Sequence, residues 1–393
     1  MKGIAVTGMG VISSIGNNLS ENLAALSSSK SGITFPEILA TRHLHLPVGE
    51  IKFHNSELSE LLNLPKNHAY TRAALLGTLA VQQLLKNLDL ERFPEGTGFI
   101  SGTSVGGIDA TEKYFREYSA TSENNRFIQA QHPGFTTEKI ADYFKLNNLV
   151  SNISTACSSS ANAIMLGARM IQAGVLKRVI VGGTDCLTKF TLNGFNSLKI
   201  FSEKSCKSFD DQRDGLNLGE AAAYLMLEGD DMLEKKPLAR ISGFGNANDA
   251  FHQTASSENG EGTFLAMQKA LKVAELESSE IDYINVHGTG TLNNDLSESR
   301  AIQRIFKKSI PAFSSTKPFT GHTLGAAGAL EAIISILSLS ENKIFPNLNF
   351  NEAIQETRLT PVKTLQNANL HHVLSNSLGF GGNCTTLIFS KNE

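Results

Sequence analysis

The 393-residue chain has no tryptophan and only four cysteines and ten prolines. The cysteines, at 157, 186, 206 and 384, lack CxxC spacing and are too sparse for a disulfide framework, so a reduced interior is expected. No run approaches the ~20 uninterrupted apolar residues of a membrane-spanning helix. The N-terminus, Met1-Lys2-Gly3 followed by Ile4-Ala5-Val6, is broken by Gly8 and Gly10 and lacks the apolar core and cleavage site of a signal peptide. A cytoplasmic protein is therefore expected. Charge is also scarce: 19% of residues are charged and the net charge is -3, which gives no support to a general nucleic-acid or membrane-surface role. HExxH and CxxC…H spacings are absent, as is a strand–GxGxxG–helix unit with an acidic partner, so neither a metal nor a nucleotide cofactor is expected.

What is present is a globular composition, 41% hydrophobic with 33 glycines, long enough for a large α/β unit built in two halves. Ile4–Gly10 reads as a buried strand ending in a glycine turn, and Asn18–Leu26 as a helix capped by Asn or Ser. The chain then repeats itself. Thr71–Leu88 has helical spacing and precedes the strand Gly98-Phe99-Ile100 and a small-residue turn. Phe264–Glu275 is again helical and precedes the strand Tyr283–Val286 and the turn His287-Gly288-Thr289-Gly290-Thr291. A second pair follows: Ser154–Gly174, a turn plus helix leading to Arg178–Gly182, is echoed by Ser314–Leu337. Two βαβαβ halves dividing near residue 240 are expected, 1–240 and 241–393. Strands with little alternation, such as Val179-Ile180-Val181, suit a sheet buried on both faces. Helices rich in Gly and Ala, at 161–168 and 325–332, imply closely packed layers. Glu112–Gln131, polar and aromatic without period, is expected to leave the body of the fold, over the surface or into a partner subunit.

The chemistry-bearing residues sit in the turns of this repeat. Cys157, in Ser-Thr-Ala-Cys-Ser-Ser-Ser, precedes the helix starting near Ala161. At a helix N-terminus, unpaired N–H groups and the positive end of the macrodipole favour a thiolate. His287 ends a strand and is followed by Gly and Thr only, which leaves its ring accessible and adds the hydroxyls of Thr289 and Thr291. His322 begins another helix, where imidazolium is disfavoured, so a neutral ring donating from Nε2–H is expected. The Gly-rich turn Gly379-Phe380-Gly381-Gly382 lies between two strands; it reads either as a permissive hairpin or as a close backbone approach that lends an N–H to an oxyanion hole. Cys186 and Cys206 lack such surroundings.

Together these segments resemble the elongating Cys-His-His class of β-ketoacyl-acyl carrier protein synthases, in the thiolase-like superfamily. The resemblance runs from Val6-Thr7-Gly8-Met9-Gly10 to Asn383 and rests on TACSSS at 155–160, DQRDGLNLGE at 211–220, NDAFHQT at 248–254, HGTGTLNND at 287–295, SSTKPFTGH at 314–322 and GFGG at 379–382. It implies a five-layered αβαβα fold from duplicated halves, a homodimer or a heterodimer with a related subunit, and acyl carrier protein as the donor of acyl and malonyl groups on phosphopantetheine. It makes Cys157 the nucleophile, His287 and His322 the groups that stabilise the enolate left by decarboxylation, and the N–H groups of Cys157 and Phe380 the oxyanion hole. It implies an active-site role for Lys317, paired with Glu331, and places Phe195 and Phe380 at the acyl pocket and gate. Thr289 and Thr291 match threonines that meet the pantetheine arm. Lys66 and Arg72 are candidates for docking an acidic carrier protein.

Departures from the family pattern cluster near the acyl pocket. Gly-Glu-Gly-Ala is Gly219-Glu220-Ala221-Ala222 here, Asn383-Cys384 follows the glycine turn, and Leu378 replaces the usual Phe. Cys384 raises a thiolase-like alternative in which it is the base. A non-catalytic chain-length-factor-like subunit is the other alternative, opposed by the intact Cys157. Fatty-acid and type II polyketide or polyene pathways are both compatible with these motifs.

Overall fold

The computed structural model describes residues 3–115 and 124–392. Among the described residues, ten strands form one sheet: β1 (Ile4–Ser13), β2 (Gly98–Gly102), β3 (Val150–Ile153), β4 (Arg178–Asp185), β5 (Ala221–Glu228), β6 (Ala239–Asn248), β7 (Tyr283–Asn285), β8 (Ala312–Ser314), β9 (His372–Leu378) and β10 (Asn383–Ser390). Across the sheet the order is β8-β7-β9-β10-β6-β1-β5-β4-β2-β3. From β1 outward the first five strands run first, fifth, fourth, second, third; from β6 outward the second five do the same. The directions match too. β5 is antiparallel to β1 and β4 while β2 is parallel to β3 and β4; β10 is antiparallel to β6 and β9 while β7 is parallel to β8 and β9. Each set therefore ends in an antiparallel strand pair that a plain βαβαβ reading omits. The sets join where Ile4–Val6 pairs antiparallel with Ala239–Ile241.

Helices fill the remaining layers. α1 (Arg72–Asn87), capped by the Thr71 hydroxyl, and α2 (Gly134–Tyr143) cover one outer face; α5 (Glu261–Ala274) and α6 (Leu292–Phe306) cover the other. Between the two sheet halves lie α3 (Ser159–Gln172) and α7 (Ala327–Glu341), while α4 (Lys189–Ser197), which carries Phe195, follows β4. The strands are buried on both faces, which side-chain alternation makes visible. In β4, Val179 and Val181 enter the central core while Ile180 faces α1; in β5, Ala223, Leu225 and Leu227 face the centre and Tyr224 and Met226 face out. In the second set, Val373 of β9 and Leu387 and Phe389 of β10 turn inward, whereas Leu374 and Ile388 meet α5 and α6. Continuous apolar runs are what two-sided burial requires.

The middle helices approach closely. A Cβ on Gly328 would lie 2.7 Å from the Cβ of Ala161 and 2.8 Å from its amide nitrogen, so a side chain there collides with backbone. The stretch Leu324–Glu341 is long and apolar enough to cross a membrane by length and composition, but it is buried between the sheet halves as a core helix. Of the expected excursion at 112–131, residues 116–123 lie outside the described residues; its flanks, Ile108–Tyr114 and the 3-10 helix Asn125–Gln131, bring Tyr114 and Phe127 into a stack with centroids 4.8 Å apart.

Candidate active site

Cys157 sits in a tight turn between β3 and α3. Ala156, just ahead of it, has φ +53, a left-handed conformation uncommon for a residue with a Cβ. That kink turns the chain from the edge strand into the helix and lifts the thiol to the wall of a cavity of about 320 Å³, where the side chain remains buried. Burial here outweighs the helix N-terminus. It pushes the thiol up to about 11, against the opposing pull of the Lys317 charge and of the Phe380 and Cys157 N–H groups, with Asp185 adding to the rise. The thiolate expected from the turn alone is therefore not the resting form; a thiol is. The Phe380 and Cys157 backbone N–H groups both lie near enough to the sulfur to favour its anion.

His287 and His322 line the same cavity, their rings T-shaped at 5.2 Å. Both are buried, and both titrate well below the ordinary histidine range, because of burial first and then the Lys317 charge, with His322 a further cause for His287. The tautomers are fixed from behind. Leu324 N–H donates to His322 Nδ1 at 3.2 Å, and the Lys317 ammonium donates to His287 Nδ1 at 3.2 Å. A ring that accepts at Nδ1 carries its proton on Nε2. Each histidine is thus a neutral Nε2–H donor. His322 reaches this state without opening an α-helix: a 3-10 turn at Leu324–Ala326 separates it from α7.

Lys317 stands behind His287 rather than in the cavity wall. Its ammonium also donates to the His287 carbonyl and to Glu331 Oε1, each at 2.5 Å. Lys317 and Glu331 are both buried, and Glu331 is raised by burial, with Lys317 pulling it back. The pair braces the histidine turn.

Three further carboxylates complete the bracing, and the sequence reading assigned them no role. Glu298 of α6 accepts from the N–H groups of His287 and Gly288, each at 2.9 Å, and burial raises it to about 7. Asp295, one turn earlier, accepts from Gly290 and Phe209. Asp185, ending β4, accepts from Thr103 Oγ1, from Ser104 N–H and, at 2.7 Å, from Gly325 N–H, joining the β2 loop to the turn after His322. The motif DQRDGLNLGE holds both histidine turns. Gly215 N–H donates to Gly290, the Arg213 guanidinium to the carbonyls of Thr291 and Leu292, and the His322 backbone pairs with Asn217 and Gly219. The usable sequence signal is the pair of acidic residues, Asp295 and Glu298, early in α6, but only burial distinguishes them from ordinary helix-start charges.

The aromatic candidates meet as a stack: Phe380 lies on Phe195 at 5.6 Å and 17°, and Phe195 on Phe201 at 6.2 Å. Thr289 and Thr291 line the cavity with their hydroxyls 2.9 Å apart. Leu378 and Cys384 line it as well. Cys384 is buried beside Thr263 and the Gly382 carbonyl, and burial pushes its thiol up to about 12. Cys186 and Cys206 are buried away from the cavity wall. One candidate is corrected. Arg72 is not a docking residue: its guanidinium is buried and bidentate on Glu220, Nε–Oε2 2.8 Å and Nη2–Oε1 2.6 Å, and bonded to the Ile51 and Phe53 carbonyls. Lys66 is exposed, on the rim of a second cavity of about 460 Å³.

Comparison with known proteins agrees over the whole chain. The N-terminal domain of beta-ketoacyl synthase matches residues 1–232 and its C-terminal domain matches 238–351. A 3-oxoacyl-[acyl-carrier-protein] synthase 2 from Staphylococcus aureus is 30% identical over 412 residues, covering 100% of this chain and 99% of the relative. A 3-oxoacyl-[acyl-carrier-protein] synthase 1 from Haemophilus influenzae is 33% identical over 420 residues, covering 100% and 99%. Among solved structures, the ishigamide ketosynthase/chain length factor superposes with a TM-score of 0.93 at 26% identity over 100% of both chains. A ketosynthase in complex with its chain length factor from Xenorhabdus doucetiae gives 0.85 at 29% identity, covering 99% and 98%. The two domain matches, together with relatives at 30% and 33% identity aligned end to end, place the chain in the β-ketoacyl synthase family.

Proposed function

We propose that the protein catalyses decarboxylative Claisen condensation between a Cys157-bound acyl chain and malonyl-acyl carrier protein, in fatty-acid or type II polyketide or polyene synthesis. The observation that carries this reading is the convergence of Cys157 with two Nε2–H donors, His287 and His322, in one cavity. In the first half-reaction the Cys157 sulfur attacks the acyl thioester; the carbonyl oxygen gains negative charge and is met by the Cys157 and Phe380 N–H groups, and the carrier thiol leaves. In the second, malonyl carrier protein loses CO₂ and its thioester oxygen becomes an enolate. Neutral donors suit this step, because they stabilise the developing charge without first protonating the carboxylate that must leave. The enolate carbon then attacks the acyl-Cys157 carbonyl and releases β-ketoacyl-carrier protein and the Cys157 thiolate, which regains its thiol form by taking a proton from solvent. Lys317 and Glu331 hold His287, Phe195 and Phe380 screen the sulfur, and Thr289 and Thr291 receive the pantetheine arm.

Acyl carrier protein is the proposed partner, with a second subunit, identical or related. The likeness to a ketosynthase solved with its chain length factor supports a heterodimer in a dedicated polyketide or polyene pathway; Cys157 makes this chain the catalytic subunit of such a pair. Cytoplasmic residence and a division into 1–240 and 241–393 belong to the same reading, the latter supported by β6 opening the second strand set at Ala239. Purified protein given malonyl- and acyl-carrier proteins of several chain lengths, with and without a candidate partner subunit, should release CO₂ and β-ketoacyl product. No product and no CO₂ under any of these conditions would overturn the proposal, and an acyl group found on Cys384 in place of Cys157 would favour a thiolase-like scheme.

A further inference from the structure

The two loops that bring N–H groups to the Cys157 sulfur share one side chain. Asn383 closes the Gly379–Gly382 loop, its main-chain carbonyl accepting from Gly379 N–H at 2.8 Å. Its side-chain Oδ1 accepts from Ser158 Oγ at 2.8 Å and from Asn162 Nδ2 at 2.8 Å, both on the Cys157 side of the site. Asn246 Nδ2 of β6 adds a third donor at 3.0 Å. The network continues through Asn162 Oδ1, which accepts from Asn246 at 3.0 Å and Thr385 Oγ1 at 2.9 Å. Ser158 follows the nucleophile directly and Asn162 lies one helical turn on. There is no slack between the loops: a Cβ on Gly379 would lie 2.7 Å from the Thr155 carbonyl and 3.3 Å from the Cys157 nitrogen.

We propose that Asn383 is a positioning residue that fixes the separation and aim of the Cys157 and Phe380 N–H groups, and with them the oxyanion hole of acyl transfer. The inference rests on the reaction proposed above only for the use made of that hole; the geometry it claims stands apart. Donors accelerate a reaction when they are aimed before the charge develops, and losing one oxyanion donor costs about 10²–10³ in rate. Only a side chain of this length ending in an acceptor spans from the loop to Ser158 and Asn162. Leucine matches the shape and offers nothing to accept, leaving one Asn162 N–H unpaired and Ser158 bonded only within its own turn, to Thr155.

The same N–H groups donate to the thiolate, so their aim is readable without any substrate. Cys157 alkylation by iodoacetamide, followed by mass spectrometry from pH 7 to 10, should be slower by about tenfold at each pH in Asn383→Leu than in the parent protein. Ser158→Ala removes one end of the same link and should slow alkylation in the same direction. The double variant should be no slower than Asn383→Leu alone, since both changes cut one connection. If Asn383→Leu does not fold, Ser158→Ala carries the measurement by itself. Acyl transfer to Cys157 should fall by about 10²-fold with an unchanged KM for the acyl donor, while malonyl decarboxylation, served by the histidines, changes much less. Unchanged alkylation in the folded variants overturns the inference, as do independent, multiplying effects or equal losses in both half-reactions. A parent protein that neither accepts an acyl group nor decarboxylates, but shows the alkylation pattern, refutes the proposed reaction and leaves the role of Asn383 standing.

Discussion

Lys317 places a positive charge in a dry interior, and three acceptors around it make that tolerable: the His287 carbonyl, His287 Nδ1 and the Glu331 carboxylate. Removing one member of such a pair strands the other. Lys317→Met is therefore expected to lower unfolding stability by ~3–5 kcal/mol, and Lys317→Met with Glu331→Leu to recover most of it, as measured by urea denaturation. The histidines make a separate demand. Unfolded, each has an ordinary pKa near 6.5; folded, each is held well below it. As pH falls below about 6.5 the unfolded chain takes up protons that the buried rings refuse, so their contribution makes stability drop with acid and leaves it level above. Glu298, raised from 4.5 to about 7, contributes the opposite slope between those values. His322→Gln should consequently flatten the loss of thermal stability between pH 7 and 5, and Glu298→Gln should steepen it. Equal slopes in all three proteins would contradict the burial argument.

Elements carry these residues, and here legibility divides sharply. The Cys157 and His287 turns were visible because small-residue runs between a strand and a helix have few other uses; the Gly379–Gly382 loop, between two strands, showed itself only as a glycine run that also suits a plain hairpin. Their supports were not. Arg72 read as a docking candidate because nothing local reveals Glu220, far along the chain, and Asp185, Asp295 and Glu298 drew no role because a sequence shows charge without showing burial. β7 was legible, read at Tyr283–Val286 and found at Tyr283–Asn285, whereas β8, also three residues, is too short for periodicity to delimit. The close layers were legible from Gly and Ala in α3 and α7, and they predict a cost. Gly328→Ala puts a methyl within 2.8 Å of the Ala161 backbone and should destabilise by ~1–3 kcal/mol in urea unfolding, since backbone cannot yield as a side chain does.

For the whole molecule, the exposed and the buried cation separate docking from folding. Lys66 stands in solvent beside a cavity also lined by Lys113, whereas Arg72 is locked inside. Under the proposed function Lys66→Glu should raise KM for carrier-protein substrates severalfold with kcat unchanged, and increasingly so as ionic strength falls. Arg72→Met should instead lower stability and leave KM for the surviving folded enzyme unmoved. Steady-state kinetics with carrier-bound and free-pantetheine substrates distinguish the two, because only docking depends on the carrier.

The seam at Ile4–Val6 and Ala239–Ile241 is a short strip of backbone pairing, and the proposed catalytic set straddles it: the thiol belongs to one strand set, both imidazoles to the other. A protein cut in the exposed turn before Ala239 would yield two pieces, each with a raw sheet edge and one naked face of a middle helix, and neither with a complete set of reacting groups. Chemistry would return only on reassociation. The fold thus makes catalysis a report on its own assembly, and activity regained on mixing the two pieces would measure how strongly the halves hold each other.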